Sequence, residues 1–241
     1  MHSYLSGLPT FSITDWGATL IAAGSAYTET THGADHPFFV QVGGMDGKSF
    51  DPIYKYVQHY KWPGLVVEPL ADYFGALQQN YADVPGMRFE RAAIAGHDGT
   101  LSMQRIMAAA LARGVMPDWT GGVSSSIPGR GVLGGQTLPA VDYERFVAPH
   151  VETVEVPAMT WPTLLARHGV ARFDVLVVDV EGAEWPVLQQ VDLAGCQPRL
   201  AYIEYVHMPD AEFSACFEKF NEAGYRAFRQ DGAGENILFV R

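Results

Sequence analysis

The sequence predicts an α/β fold, a doubly wound and mostly parallel sheet of seven strands with helices on both faces. Three observations predict it. Short apolar runs recur, among them FFVQV (38–42), LVV (65–67) and VLVV (175–178). Runs that short without a polar alternation suit strands buried on both faces. Between them lie stretches with apolar residues three and four apart, as at Leu70, Tyr73, Phe74, Leu77 and Tyr81, the spacing of an amphipathic helix. Finally, the runs end on glycine or acid: Gly43, Glu68, Asp179 and Glu204. In open α/β sheets the crevice beyond the carboxyl ends of the strands is where ligands bind.

Residues 1–37 are expected to form an N-terminal arm. Ser12 and Thr14 are suited to cap a helix over 15–27 that carries Trp16, Leu20, Ile21 and Ala23. The arm reads as a packing or dimer contact in a homo-oligomer, or as a lid over substrate. The remainder, 38–241, reads as one domain. Strand 38–42 runs into the glycine turn Gly43, Gly44 and Gly47, and Ser49, Asp51 and Pro52 open a crossover helix over 51–61. Strand 65–68, helix 70–81 and a third strand 87–94 follow, with His97-Asp98-Gly99 as the turn out.

The stretch 100–155 breaks this rhythm. Residues 103–113 are alanine-rich and expected to be helical. Residues 117–139 hold six glycines, three serines and three prolines, so they read as an irregular insertion. A loop of that length is functional or disordered in most compact domains. Its GGVSSS run (121–126), Ser124 included, offers backbone and hydroxyl donors that would wrap a ligand or cover it. Alternation then resumes: Thr160 caps a helix ending at Gly169, strand 173–178 leads to Asp179, and a helix follows Glu184. Strand 200–203 precedes helix 210–223, and 225–229 with 236–240 close the chain as an antiparallel pair.

Composition removes some function classes. The formal charge of −11 argues against nucleic acid or an anionic membrane as partner, since both need a basic face. Two cysteines, Cys196 and Cys216, give neither metal spacing nor a disulfide framework, so a reducing cytoplasm is expected. The chain opens without a cationic segment leading into an apolar one, and no apolar run reaches membrane-spanning length.

The chemistry follows from the strand ends. A strand, a glycine turn and a helix let backbone approach a nucleotide-like cofactor, and a Cβ at Gly43 is expected to stand in the ligand's way with the fold left intact. Glu68 lies 25 residues after Gly43, near the roughly 20-residue spacing at which an acid meets ribose hydroxyls. No G-x-G-x-x-G follows the first strand, which argues against a nicotinamide-dependent oxidoreductase. Asp179 and Glu204 end neighbouring strands, where two carboxylates would hold a divalent cation such as Mg or orient an acceptor. Glu181 and Glu184 sit where acids favour a helix N-terminus, and Glu184 is assigned that surface role. His207 follows Glu204 closely and is the candidate general base.

VQVGGMDG (40–47), VVEP (66–69), AIAGHDG (93–99) and above all DVLVVDVEGAEWPVL (174–188) resemble the FkbM-type S-adenosylmethionine-dependent methyltransferases. The resemblance implies a Rossmann-like class I methyltransferase sheet with a reversed last strand and S-adenosyl-L-methionine as cofactor. It implies that Gly43, Gly44 and Gly47 admit the methionine and ribose portions, that Glu68 accepts from the ribose, and that Ala93 and Ile94 flank the adenine. The chain departs from the family pattern at Gln41, where an acid is common, and at Gly96, where aspartate is frequent. Transfer of a methyl group to the hydroxyl of a small molecule is the expected activity. A catalytically silent domain that binds the same cofactor is the alternative.

Overall fold

The computed structural model describes residues 5, 8–11, 37–127, 139–230 and 234–241. Its strands are β1 (Thr10–Phe11), β2 (Phe39–Val42), β3 (Gly64–Val67), β4 (Arg88–Glu90), β5 (Ala93–Ile94), β6 (Gly99–Ile106), β7 (Val151–Met159), β8 (Val175–Val178), β9 (Leu200–Glu204), β10 (Arg226–Gln230) and β11 (Asn236–Val240). The main sheet has eight strands in the order β1-β10-β11-β9-β8-β2-β3-β4. From β9 to β4 neighbours are parallel, while β11 runs antiparallel to both β9 and β10. Seven of these strands are those the sequence predicts. The eighth, β1, lies parallel to β10 within the expected arm, whose helix over 15–27 lies outside the described residues.

Alternate rows of the sheet feed two cores. Val40, Val42, Leu65, Val67, Leu176, Val178 and Ile203 face one side with Trp161, Leu164, Phe213 and Phe220. Those come from helix α5 (Trp161–His168) and helix α8 (Asp210–Glu222), and the short α7 (Leu193–Cys196) adds Leu193 and Cys196 to the same side. Phe39, Val66, Val175, Val177 and Tyr202 face the other side with Ile53, Val57, Leu77 and Tyr81. That side is covered by α1 (Tyr54–Tyr60) and α2 (Ala71–Asn80). Burial on both faces explains why the strand runs carry no polar alternation.

Local signals set the helix ends. Asp51 Oδ1 accepts from the backbone N–H groups of Ile53 and Tyr54 at 2.8 and 2.7 Å, closing the start of α1. Thr160 accepts from Thr163 N–H, and Gly169 ends α5 at φ 60°, as the sequence predicts.

Two expectations are corrected. The stretch 87–94 is not one strand: Arg88–Glu90 pairs with β3 in the main sheet, whereas Ala93–Ile94 pairs with β7 in a second sheet. Nor does a helix span 103–113 in the expected insertion at 100–155. Gly99–Ile106 and Val151–Met159 form a continuous antiparallel ladder, and together with β5 they make a three-stranded sheet. Within 103–113 the α-helix is confined to Ala108–Ala112 (α3), and α4 spans Ala140–Phe146. Buried Arg105 on β6 ties this sheet to α2 through a two-pronged bond to Asp72, at 2.8 and 2.7 Å. No helix among the described residues is long and apolar enough to cross a membrane.

Candidate active site

Register places the strand ends in one row. Val42 pairs with Val67 and with Val178, and Val178 pairs with Ile203. One step further on, Glu68, Gly43, Asp179 and Glu204 therefore stand side by side at the carboxyl edge, with Asn236 opposite Glu204 on β11. A cavity of about 530 Å³ opens over this row. Gln41, Gly43, Gly44, Glu68, Ala93, Ile94, Ser124, Asp179, Glu204 and His207 all line it. Gly47 does not. At φ +72°, a Cβ on Gly47 would meet Leu77 at 2.5 Å and Tyr81 at 2.7 Å, so this glycine serves the packing of the turn on α2. Gly96, the second departure from the family pattern, does not line the cavity either.

At one end, Glu68 is buried. Its Oε2 accepts from Met45 N–H at 2.9 Å and its Oε1 from Leu70 N–H at 2.8 Å. Burial pushes its carboxyl up to about 7, against the pull of those two N–H groups. Gln41 donates from Nε2 to Asp51 Oδ2 at 2.9 Å, while its Oε1 is buried with no hydrogen-bond partner. Asp51 thus brings a carboxylate to where the sequence shows only an amide. Its cap role was legible; its bond to Gln41 was not, because that partner sits on another element.

At the other end, acids gather. Asp179 and Glu204 stand side by side at the ends of neighbouring strands, close enough for each to bear on the other's proton affinity. Burial raises Asp179, Glu181 and Glu204 above the ordinary carboxyl range, and for Glu181 and Glu204 the neighbouring acids raise them further. Glu181 sits at φ 55°, a left-handed conformation that costs a non-glycine residue about 1–3 kcal/mol. Ser125 Oγ donates to the Glu181 carbonyl at 2.9 Å and helps hold the turn. It is Ser125, rather than Ser124, that clasps this turn. His207 Nε2 lies 3.3 Å from Glu181 Oε2. Burial lowers the His207 imidazole more than nearby Glu235 lifts it, so near neutral pH the ring is uncharged and this contact is not an ion pair.

Glu184 is not the surface acid expected. It is fully buried, and its Oε1 accepts from Val180 and Gly182 N–H at 3.1 and 3.0 Å, folding the turn onto the start of α6 (Glu184–Leu188). Its Oε2 has no hydrogen-bond partner, and burial pushes the carboxyl from 4.5 up to about 7. Between those two values the folded chain keeps a proton that the unfolded chain has released. Stability therefore falls as pH rises across that window and loses nothing more above it. Glu184→Gln should raise the melting temperature at pH 8 and change it little at pH 5. A variant that melts lower at both values would mean the ionised carboxylate, gripped by the two N–H groups, is what holds the turn.

A parallel sheet ordered β4-β3-β2-β8-β9, closed by an antiparallel β11 and with its cavity at the carboxyl edge, defines the class I methyltransferase fold. The chain belongs to the methyltransferase FkbM domain family, matched over residues 41–227. Membership implies S-adenosylmethionine as methyl donor. Among solved structures it is similar to methyltransferase FkbM from Methylobacillus flagellatus KT, at 11% identity and a TM-score of 0.48, covering 91% of this chain. The chain spans only 48% of that protein's length. It is also similar to a ribosomal protein L11 methylase from Lactobacillus delbrueckii subsp. bulgaricus, at 10% identity and a TM-score of 0.41, covering 98% of this chain and 81% of that one. A human methyltransferase 10 domain containing protein shares 9% identity at a TM-score of 0.46, over 94% of this chain and 80% of that one. No curated protein matches the chain.

Proposed function

We propose that the chain uses S-adenosylmethionine to methylate a hydroxyl group of a small molecule of sugar or natural-product type. The observation that carries this reading is the single row at the carboxyl edge, with a cofactor end at Glu68 and Gly43 and an acidic end at Asp179 and Glu204. The cofactor end suits its ligand. Gln41 Oε1, orphaned at the cavity wall, is free to accept from an ammonium group, with the Asp51 carboxylate behind it. Each Glu68 oxygen already accepts one N–H and keeps a lone pair for a ribose hydroxyl. Ala93 and Ile94 offer apolar flanks to a flat base.

When bound, S-adenosylmethionine supplies a methyl group on a cationic sulfur that leaves as a neutral thioether. The chain's part is to align the acceptor oxygen and remove its proton. Asp179, beside Glu204 on the carboxyl edge, is the group assigned to take that proton, and the uncharged His207 stands beside the cluster as the second candidate. A cytoplasmic setting is part of this reading, supported by Cys196 and Cys216, both buried and free.

Calorimetry tests the cofactor half. Glu68→Ala should weaken S-adenosylmethionine binding by about 1.5–3 kcal/mol, the cost of a lost charge-assisted hydrogen bond. Wild-type affinity in that variant would mean the ribose sits elsewhere. Turnover on an acceptor separates an enzyme from a silent binding domain.

A further inference from the structure

Of the described residues lining the cavity, Asp51, Glu68, Asp179, Glu181, Glu204 and Glu235 are acids and none is lysine or arginine. A sulfonium cofactor answers part of that charge at the Glu68 end. At the other end a carboxylate oxygen of Glu181, one of Glu204 and a ring nitrogen of His207 all lie within 4.8 Å of one another. Ligands of one cation at metal–ligand distances of about 2.0–2.2 Å stand at most roughly 4.4 Å apart. Small side-chain rotations close that difference.

The Glu204 side chain carries an independent sign. The residue is 6% exposed, lines the cavity, and its Oε2 is buried without a hydrogen-bond partner. Glu181 Oε2 is likewise buried and unbonded. An oxygen withdrawn from water in this way calls for a proton or a cation. Two carboxylates and one imidazole form a mixed oxygen and nitrogen set. Such a set suits first-row transition dications better than the all-oxygen shell preferred by magnesium.

We propose that Glu181, Glu204 and His207 bind a divalent transition-metal ion of the manganese type at the acceptor end of the cavity. The ligand set replaces the Asp179–Glu204 pair and magnesium expected from sequence. Asp179 stands outside it, beside Glu204 at the end of the neighbouring strand. Three protein ligands leave coordination positions open towards the cavity, where an acceptor oxygen would meet the ion and give up its proton more readily, with Asp179 receiving it. That catalytic role rests on the methyltransferase reading; the binding of the ion does not.

The full chain, stripped with a chelator and titrated with Mn2+, tests it. Electron paramagnetic resonance reads the free ion as it disappears. One Mn2+ per chain should bind saturably. Glu204→Gln and His207→Ala should each weaken binding about tenfold or more, while Glu222→Gln, an exposed acid on α8, should bind like wild type. Circular dichroism establishes that each variant is folded, and the wild-type titration stands even if one variant is not. No saturable binding by wild type at millimolar Mn2+, with or without S-adenosylmethionine, overturns the proposal, as does undiminished binding in folded Glu204→Gln and His207→Ala. S-adenosylmethionine affinity measured on the same metal-free protein keeps the two readings apart. Cofactor binding without Mn2+ binding sinks the ion alone, and Mn2+ binding without cofactor binding sinks the methyltransferase reading alone.

Discussion

Gly43→Ala should destabilise the whole chain by about 2–5 kcal/mol, not merely obstruct the cofactor. Gly43 has φ +86°, and a Cβ built there would lie 1.7 Å from the backbone oxygen of Asp179 and 2.8 Å from its carbonyl carbon. Neither partner is free to retreat. Gly43 N–H donates to Val67 O at 3.1 Å and Asp179 N–H to Val42 O at 3.1 Å, so separation would tear the centre of the parallel ladder. A left-handed conformation costs alanine about 1–2 kcal/mol, and overpacking in a rigid core adds about 1–3 more. Against a total stability of roughly 5–15 kcal/mol, that loss is severe. Gly44→Ala should cost less, because its Cβ would meet the Val66 Cγ1 methyl at 2.3 Å, a side-chain end instead of backbone. Urea unfolding of both variants is the measurement. A Gly43→Ala protein with the wild-type midpoint and no cofactor binding would restore the sequence-based view that this glycine exists to admit the ligand.

The same glycine marks how far the sequence could be read. A strand, a glycine turn and a helix were legible at 38–60 because β2 is buried on both faces and Asp51 caps α1. That the glycine makes room for the end of β8, far along the chain, was not, because nothing local to residue 43 records which strand will lie beside it. The second sheet escaped for a related reason. On β6 and β7 many positions are exposed or half-buried, so neither strand presents a continuous apolar run, and Ala108–Ala112 lent its helical propensity to the residues before it. The break after Glu90 left no trace either. Glu90 is held in the main sheet by Arg167 and His168, each at 2.9 Å, before the chain crosses to pair with β7.

At the site, residues that end buried strands were readable as a set, since an apolar run delivers its last residue to the sheet edge. Glu181 and Glu184 lie in a turn, where local sequence distinguishes a surface acid poorly from a buried one. Packing decides it, with Glu184 sealed beneath the turn and Glu181 turned towards His207.

Asp179→Asn should leave the fold and most of the cofactor affinity intact and lower turnover about 10²-fold, the scale of lost acid–base assistance. The substitution changes charge and almost no volume. The amide that replaces the carboxyl could donate to Glu204, its neighbour on the next strand. The cofactor end of the row is separated from this position by Gly43, so binding measured by calorimetry should stay within a few-fold of wild type. Methyl transfer to an acceptor accepted by the wild-type enzyme is the decisive readout. A 10²-fold fall with unchanged cofactor affinity places the defect in the chemical step. A fall in affinity of similar size would instead make Asp179 part of the cofactor's own site. Normal turnover would remove Asp179 as proton acceptor, and a metal-free His207, whose lowered proton affinity leaves its ring uncharged near pH 7, would then be the base in place of being a ligand.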